Sequence, residues 1–296
     1  MKLNRLTLVL ATPMLLSACA GVAMHGEHHE AHRVSHGPVA DAVIGAQNAA
    51  LDKNTQGKGF GPQAPRDIDS DVGVNQRVFS SAPPYTVMNL CNIHFHKNAE
   101  HKGGEFTKYA GNGDGKGYQT GYVYSGKLSA SEAKPVDEEL CPSEHGALAV
   151  GDTIEVHYVH STAQVSPGPT LGSCLNESVA NPQLRVETQV YVLVNDKGAL
   201  NFGDVVQHGV RNQLHQALNI PTNTGAPVQY PGSTTGPAYN EKASPFQVTW
   251  SVRPKVAKVD AESVGAWCEG NVFKEDHAHG VRNLVTNPDL LAKPVR

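Results

Sequence analysis

His94 and His96 stand two apart in Cys91-Asn92-Ile93-His94-Phe95-His96, and His157 lies in a second run, Thr153-Ile154-Glu155-Val156-His157-Tyr158-Val159-His160. On a strand, positions i and i+2 point to the same face. The imidazoles of His94 and His96 can therefore reach one metal ion, and a neighbouring strand can add His157 to it. A single histidine on an apolar strand is ordinarily a satisfied core residue; three that converge read as a metal site. Three His with a fourth position left open is the donor set of catalytic zinc, whereas structural zinc sites are closed and rich in cysteine. An ion so held, one per chain, makes hydroxide available from bound water near neutral pH. Asn92 and Glu155 each stand two residues before a candidate ligand and on its face, where they can accept the second ring N–H and fix the tautomer.

Strands must carry these residues, and the composition favours strands. The chain has 296 residues, with 29 Gly, 19 Pro and only 18% charged residues. That mix suits short strands and turns and disfavours a coiled coil. A formal net charge of -4 lacks the basic footprint of a nucleic-acid binder. Beyond the two histidine runs, Leu184–Val194, Gln247–Val252 and the alternating stretch from Gly117 to Leu128 read as strands. Asn112-Gly113-Asp114-Gly115 and Asn195-Asp196-Lys197-Gly198 read as turns. Val205–Leu218 is the best helix candidate, and Val39–Ala50 a weak one. The pattern predicts a mainly-β fold: one domain over 71–296, built on a central, largely antiparallel sheet with few short helices.

Lys2 and Arg5 precede an apolar stretch, Leu6–Leu16, too short to span a bilayer. Leu16-Ser17-Ala18-Cys19 resembles the lipobox of bacterial lipoproteins, which implies a signal peptide over 1–19 and lipidation of Cys19. Ala20 is not the Asp that favours inner-membrane retention in such proteins. The expectation is an exported, periplasmic, outer-membrane lipoprotein that meets the membrane only through its lipid. Cys91, Cys141, Cys174 and Cys268 remain, and four cysteines in an exported chain suggest two disulfides with three possible pairings. Residues 20–70 show no sustained periodicity and read as a flexible His/Gly/Pro-rich tether. Its His25, His28, His29, His32 and His36 read as parts of a solvated linker, with metal capture as the alternative. His277-Ala278-His279 lies in a charged segment and reads as surface.

His94-Phe95-His96-Lys97-Asn98-Ala99-Glu100-His101 resembles the His-x-His-x-x-x-Glu-His segment of alpha-class carbonic anhydrases. Glu155-Val156-His157-Tyr158-Val159-His160 is similar to their Glu-Leu-His-Leu-Val-His strand, and Val248-Thr249-Trp250-Ser251-Val252 to their late Val-x-Trp strand. Cys91 to His96, continuing through Gly103-Gly104-Glu105-Phe106, resembles more closely the delta class and its bacterial relatives. The Gln-Ser-Pro segment and upstream shuttle histidine of the alpha class are absent, which favours the delta class and leaves proton transfer unassigned. The resemblance covers about residues 80–255. It implies reversible hydration of carbon dioxide to bicarbonate by a zinc-bound hydroxide held by His94, His96 and His157. It also implies an apolar wall, for which Val159, Val190 and Val192 are the candidates. His101, His160 and His208 are the candidate proton shuttles. Glu100 matches the buried glutamate that orients the hydroxide through a threonine. Thr234 is the candidate threonine, with Thr235 as alternate, from Gly232-Ser233-Thr234-Thr235-Gly236-Pro237; as plain turn residues they fit equally well.

Two other functions compete. His94-x-His96-x-x-x-Glu100 also fits a cupin, in which Glu100 would itself bind iron or manganese; Met88 stands where the cupin glycine belongs, and the later Pro-x-Gly is absent. A non-catalytic zinc-binding lipoprotein is the third reading. The sequence leaves the oligomeric state open.

Overall fold

The computed structural model describes residues 37–179, 181–234 and 239–296. Cys19, the five histidines of 25–36 and Thr235 lie outside the described residues. In chain order the elements are α1 (Asp41–Thr55), β1 (Asn89–Lys97), β2 (Lys108–Tyr109), β3 (Tyr122–Val123), β4 (Thr153–Ser161), β5 (Leu184–Val194), α2 (Phe202–Val205), β6 (His208–Arg211), β7 (Leu214–Ala217), β8 (Val228–Ser233), β9 (Gln247–Val252), β10 (Ala257–Asp260) and α3 (Ala261–Cys268). The fold is mainly β with few short helices, as the composition implied.

Six strands form the central sheet, in the order β1-β4-β5-β9-β8, with β10 also paired to β5. β1–β4, β4–β5 and β8–β9 are antiparallel. β9 and β10 run parallel to β5, β9 along Arg185–Thr188 and β10 along Tyr191–Val194, so the sheet is mixed. Every residue of β4 and β5 is buried. Leu184–Val194 was the strongest strand candidate in the sequence, and its second half, Val190–Val194, is the near-continuous apolar run expected of a strand covered on both faces.

The sheet separates two cores. One face carries Ile93, Phe95, Ile154, Val156, Tyr158, Tyr191 and Leu193, packed under Phe202 and Val205 of α2 and Val264 of α3. The other carries Val159, Val186, Val190, Val248, Trp250 and Val252, packed with Ile68 and Phe106. Each core holds one disulfide, Cys141–Cys268 in the first and Cys91–Cys174 in the second. Cys91 sits at a register shift between Leu90 and Asn92. Beyond this bulge, His94 lies directly opposite His157, and His96 opposite Glu155.

Three expectations are corrected. Val205–Leu218 is not a helix: after the short α2 it forms the β6–β7 hairpin. The apolar spacing of Val206, Val210, Leu214 and Leu218 is helical, but Asn212 and Gln213 take φ of 52° and 65°. Two successive left-handed residues make the tight turn that matches strand twist, and Asn tolerates that conformation well. The alternation from Gly117 to Leu128 yields only the two residues of β3, bonded to β2. Residues 37–70, expected as part of the tether, pack on the domain instead. Gln47 of α1 donates to the Gly115 carbonyl at 2.7 Å. Leu51 packs with Val285, Leu290 and Leu291. Gln63, Arg66 and Ile68 have no exposed surface. Backbone and guanidinium bonds to carbonyls hold this segment, and such bonds leave no apolar periodicity to read.

Among the described residues, no helix is long and apolar enough to cross a membrane.

Candidate metal centre

The shared face of β1 and β4 brings together what parity predicted. One ring nitrogen from each of His94, His96 and His157 falls within 4.8 Å of the other two. His96 and His157 are buried and His94 is partly exposed, so the cluster opens on the His94 side.

The outer partners fix which nitrogen of each ring is bare. His96 Nδ1 is 2.7 Å from the carbonyl of Gly280, and a carbonyl only accepts, so Nδ1 carries the proton and Nε2 a lone pair. His94 Nδ1 is 2.6 Å from Asn92 Oδ1. The amide of Asn92 cannot turn around, because its Nδ2 donates to the Gly168 carbonyl at 3.0 Å. His94 therefore donates through Nδ1 and also presents a bare Nε2. In His157 the arrangement is reversed: Nε2 donates to Glu155 Oε1 at 2.6 Å, which leaves Nδ1 bare. Asn92 and Glu155 thus hold the positions their sequence parity gave them.

Three lone pairs then converge with no proton among them. His157 Nδ1 and His94 Nε2 are 3.1 Å apart, and His96 Nε2 is buried with no partner at all. Bare nitrogens this close repel one another and call for a shared cation. The electrostatics keep them bare. Burial, reinforced by His157, His96 and His279, pushes His94 well below the usual imidazole range. Burial and His279 push His96 down to about 4. Burial also lowers His157, against the opposing pull of Glu155. Neutral imidazole is the metal-binding form, so the residues present fit a resident metal.

Glu155 anchors the far side of the cluster. Burial works to raise its carboxyl, but His101 and His157, both hydrogen-bonded to it, outweigh burial and hold it below the usual carboxylate range. It accepts from His101 Nδ1 at 2.8 Å and from the His101 backbone N–H at 3.2 Å. His101 Nε2 in turn lies 2.7 Å from the Tyr230 hydroxyl. Trp250 packs edge-on to both imidazoles, with ring centroids 4.8 Å from His101 and 4.9 Å from His157.

Glu100 is buried beside the cluster but outside it, and its Oε1 accepts the backbone N–H of Arg282 at 2.8 Å. Burial raises its carboxyl, with His157 pulling the other way. A cupin would need Glu100 among the ligands. Arg282 links Glu100 to the end of β8, since its guanidinium also reaches Ser233 Oγ at 3.4 Å. Thr234 follows immediately; its backbone N–H donates to Phe246 and its carbonyl accepts from Ser244. No hydrogen bond joins Thr234 to Glu100 among the described residues, so the expected pairing is not formed through Thr234. A cavity of about 260 Å3 between α1 and residues 282–286 has Glu100 in its wall, and none of the three imidazoles lines it.

Other expected roles are not met. Val159, Val190 and Val192 are 1%, 0% and 1% exposed, sealed in the sheet, and offer a substrate no wall. Val159 and Val190 are packed instead in the core that Ile68 and Phe106 share. His101 is locked between Glu155 and Tyr230. His160 is fully buried at 5.2 Å from the Tyr85 ring, and burial pushes it down to about 3. His208 packs against Phe273 on the hairpin. None of the three stands at the open side.

The residue that does is His279, which had read as surface. Its backbone bridges β1, with Lys97 N–H donating to the His279 carbonyl at 3.0 Å and His279 N–H to the Phe95 carbonyl at 2.9 Å. Its ring centroid is 5.7 Å from that of His94 and 5.8 Å from that of His96. His279 Nε2 is 2.7 Å from Glu275 Oε2. Burial opposes the charged form, but Glu275 outweighs it and raises His279 above its usual value. Gly280, Arg282 and Tyr230 were likewise missed; they come from distant segments, and only the Gly232-Ser233-Thr234-Thr235-Gly236-Pro237 segment carried a signal near any of them.

A search of curated proteins found no match. Among solved structures, the chain is similar to an alpha-carbonic anhydrase of Photobacterium profundum, at 14% identity over 77% of this chain and 88% of that one, with a TM-score of 0.26. It is similar to the alpha-carbonic anhydrase of Thermovibrio ammonificans in complex with the inhibitor sulfanilamide, at 16% identity over 77% and 84%, with a TM-score of 0.27. A halotolerant carbonic anhydrase from Dunaliella salina matches at 14% identity over 79% and 92%, with a TM-score of 0.29. Alignments this loose say nothing about individual side chains. The family model for delta carbonic anhydrase matches residues 85–263, a span that contains all three converging histidines and both of their side-chain anchors. The chain belongs to the delta carbonic anhydrase family.

Proposed function

We propose that the chain catalyses the reversible hydration of carbon dioxide to bicarbonate and a proton, with one zinc ion held by His94 Nε2, His96 Nε2 and His157 Nδ1. The observation that carries this reading is the set of three bare lone pairs, one of them on a buried nitrogen with no other partner. Zinc with three imidazole ligands and an open position supplies hydroxide near pH 7, carbonic anhydrase being the standard example of that effect. The chain's own residues supply orientation. Asn92, the Gly280 carbonyl and Glu155 lock the three rings. Glu100, with one oxygen fixed by the Arg282 N–H, has the other available to accept a hydroxyl proton and so orient the nucleophile. Thr235, the alternate from the same segment, is the candidate go-between.

The test is metal exchange. Chelation is expected to abolish hydration, and zinc to restore it where iron and manganese do not. Restoration by iron or manganese alone would give the metal to a different chemistry. Bound zinc without hydration would leave a metal-binding protein.

Leu16-Ser17-Ala18-Cys19 and the two disulfides support an exported enzyme held on the outer membrane by lipid at Cys19. A Cys19→Ala protein is expected to leave the membrane fraction; unchanged membrane association would refute the anchor.

A further inference from the structure

Arg66 is a fully buried cation with no ion pair among the described residues. Its guanidinium is satisfied by carbonyls alone: Nε donates to Asp67 at 3.2 Å, Nη2 to Ser70 at 2.7 Å and Val72 at 2.6 Å, and Nη1 to Ala292. The nearest carboxylate in sequence, that of Asp67, is taken by Lys102 at 2.7 Å. A cation fixed this way keeps its charge, and it lies 5.5 Å from the centroid of the Tyr230 ring. The Tyr230 hydroxyl is 2.7 Å from His101 Nε2, and His101 Nδ1 is 2.8 Å from the Glu155 oxygen that His157 Nε2 also meets.

We propose that Arg66 is a positioning residue of the metal centre, acting through Tyr230, His101 and Glu155 to hold His157 in the tautomer with a bare Nδ1. This rests on the three-histidine reading above. A cation beside the phenol ring withdraws electron density and makes its O–H a stronger donor. Burial pushes the Tyr230 phenol well above its usual range, and the Arg66 charge is the leading influence against that. The hydroxyl therefore stays protonated yet polarised. Donation into His101 Nε2 leaves the His101 proton on Nδ1, where it goes to Glu155. Glu155 stays a pure acceptor and takes its second proton from His157 Nε2. Reverse the first bond and the order of protons along the whole chain is lost. Nothing between Arg66 and His157 is exposed to water that could reset it: Tyr230, His101 and Glu155 are 1%, 0% and 0% exposed.

The alternative is that Arg66 is only a clamp, tying residues 66–72 to the C-terminal segment at Ala292. The two roles separate in nitrogen-15 NMR of the imidazoles in metal-free protein, read beside zinc affinity from chelator competition. Arg66→Gln keeps amide donors for the carbonyls and deletes the charge; Arg66→Lys keeps the charge. Arg66→Gln is expected to turn His157 into a mixture of tautomers and to weaken zinc binding about 10-fold, the low end for outer partners of a metal ligand. Arg66→Lys is expected to stay near wild type in both. Tyr230→Phe should reproduce the Arg66→Gln effect, and the double variant should add nothing further. If Arg66→Gln lowers the melting temperature while His157 stays a single Nε2–H tautomer, the proposal is overturned. Tyr230→Phe leaves every carbonyl bond of Arg66 in place, so an unchanged tautomer there overturns it even if the Arg66 variants do not fold. The NMR readout needs no metal. A wild-type protein that fails to take up zinc would sink the function proposed above and leave this measurement standing.

Discussion

A His157→Ala protein is expected to bind zinc more than 100-fold less tightly and to lose essentially all carbon dioxide hydration at ordinary zinc concentrations. Losing an outer partner of a metal-binding histidine alone costs 10–100-fold, and losing the ligand itself must cost more. The substitution also removes one of the two histidine donors to Glu155, leaving a buried carboxylate with His101 alone. A polar group left short of partners in the interior costs about 1–3 kcal/mol, more when charged. The comparison that separates ligation from this side effect is His94→Ala, which touches no bond of Glu155. Both variants should lose zinc, and His157→Ala should also melt lower. Zinc content by mass spectrometry, stopped-flow hydration and a melting curve read the three quantities. Stoichiometric zinc with full activity in His157→Ala would remove the residue from the centre.

Glu100→Gln is expected to do the opposite: to keep zinc and lose activity by on the order of 100-fold, the penalty of a slightly misaimed reacting group. Glu100 lies outside the converging nitrogens, so metal content should not change. Arg282 N–H needs an acceptor at Oε1, so the Gln variant must keep its oxygen there. Its amide NH2 then points where the carboxylate offered a lone pair. A hydroxyl that donated its proton to Glu100 would meet a donor, and the lone pair it aimed elsewhere would be misdirected. Loss of zinc in Glu100→Gln would instead make Glu100 a ligand. Normal zinc with normal turnover would give it neither role.

Parity along strands was the part of the site that could be read from the chain. His94, His96, His157, Asn92 and Glu155 all follow from alternation on β1 and β4, because a two-residue repeat fixes which side chains share a face. What alternation cannot give is what arrives from elsewhere. His279 bridges β1 from almost two hundred residues away, inside a segment with no regular element over 270–287. Arg282 and the Gly280 carbonyl reach the site the same way, and Tyr230 reaches it from β8, at the far side of the sheet from β1. Arg66 was hidden for a related reason, since a guanidinium bonded to loop carbonyls leaves no pattern in neighbouring residues. The helix expected over Val205–Leu218 shows the converse error. Its apolar spacing was real, but two left-handed residues at Asn212 and Gln213 turned it into a hairpin. The buried valines show that sharing a face with a ligand does not place a residue in the ligand's open space.

β4 has nine buried residues of nine and β5 eleven of eleven. On β4 the two sides carry unrelated duties: Glu155 and His157 serve the metal centre, while Tyr158 is bonded to Tyr191 and Val205 in the opposite core. No position on that strand is free to drift, and a change that suits one side is felt at once on the other through the shared backbone. In a saturation library these two strands should form nearly continuous blocks of intolerance, with no period of two. The exposed stretches of the connections between strands would be left to absorb the chain's divergence.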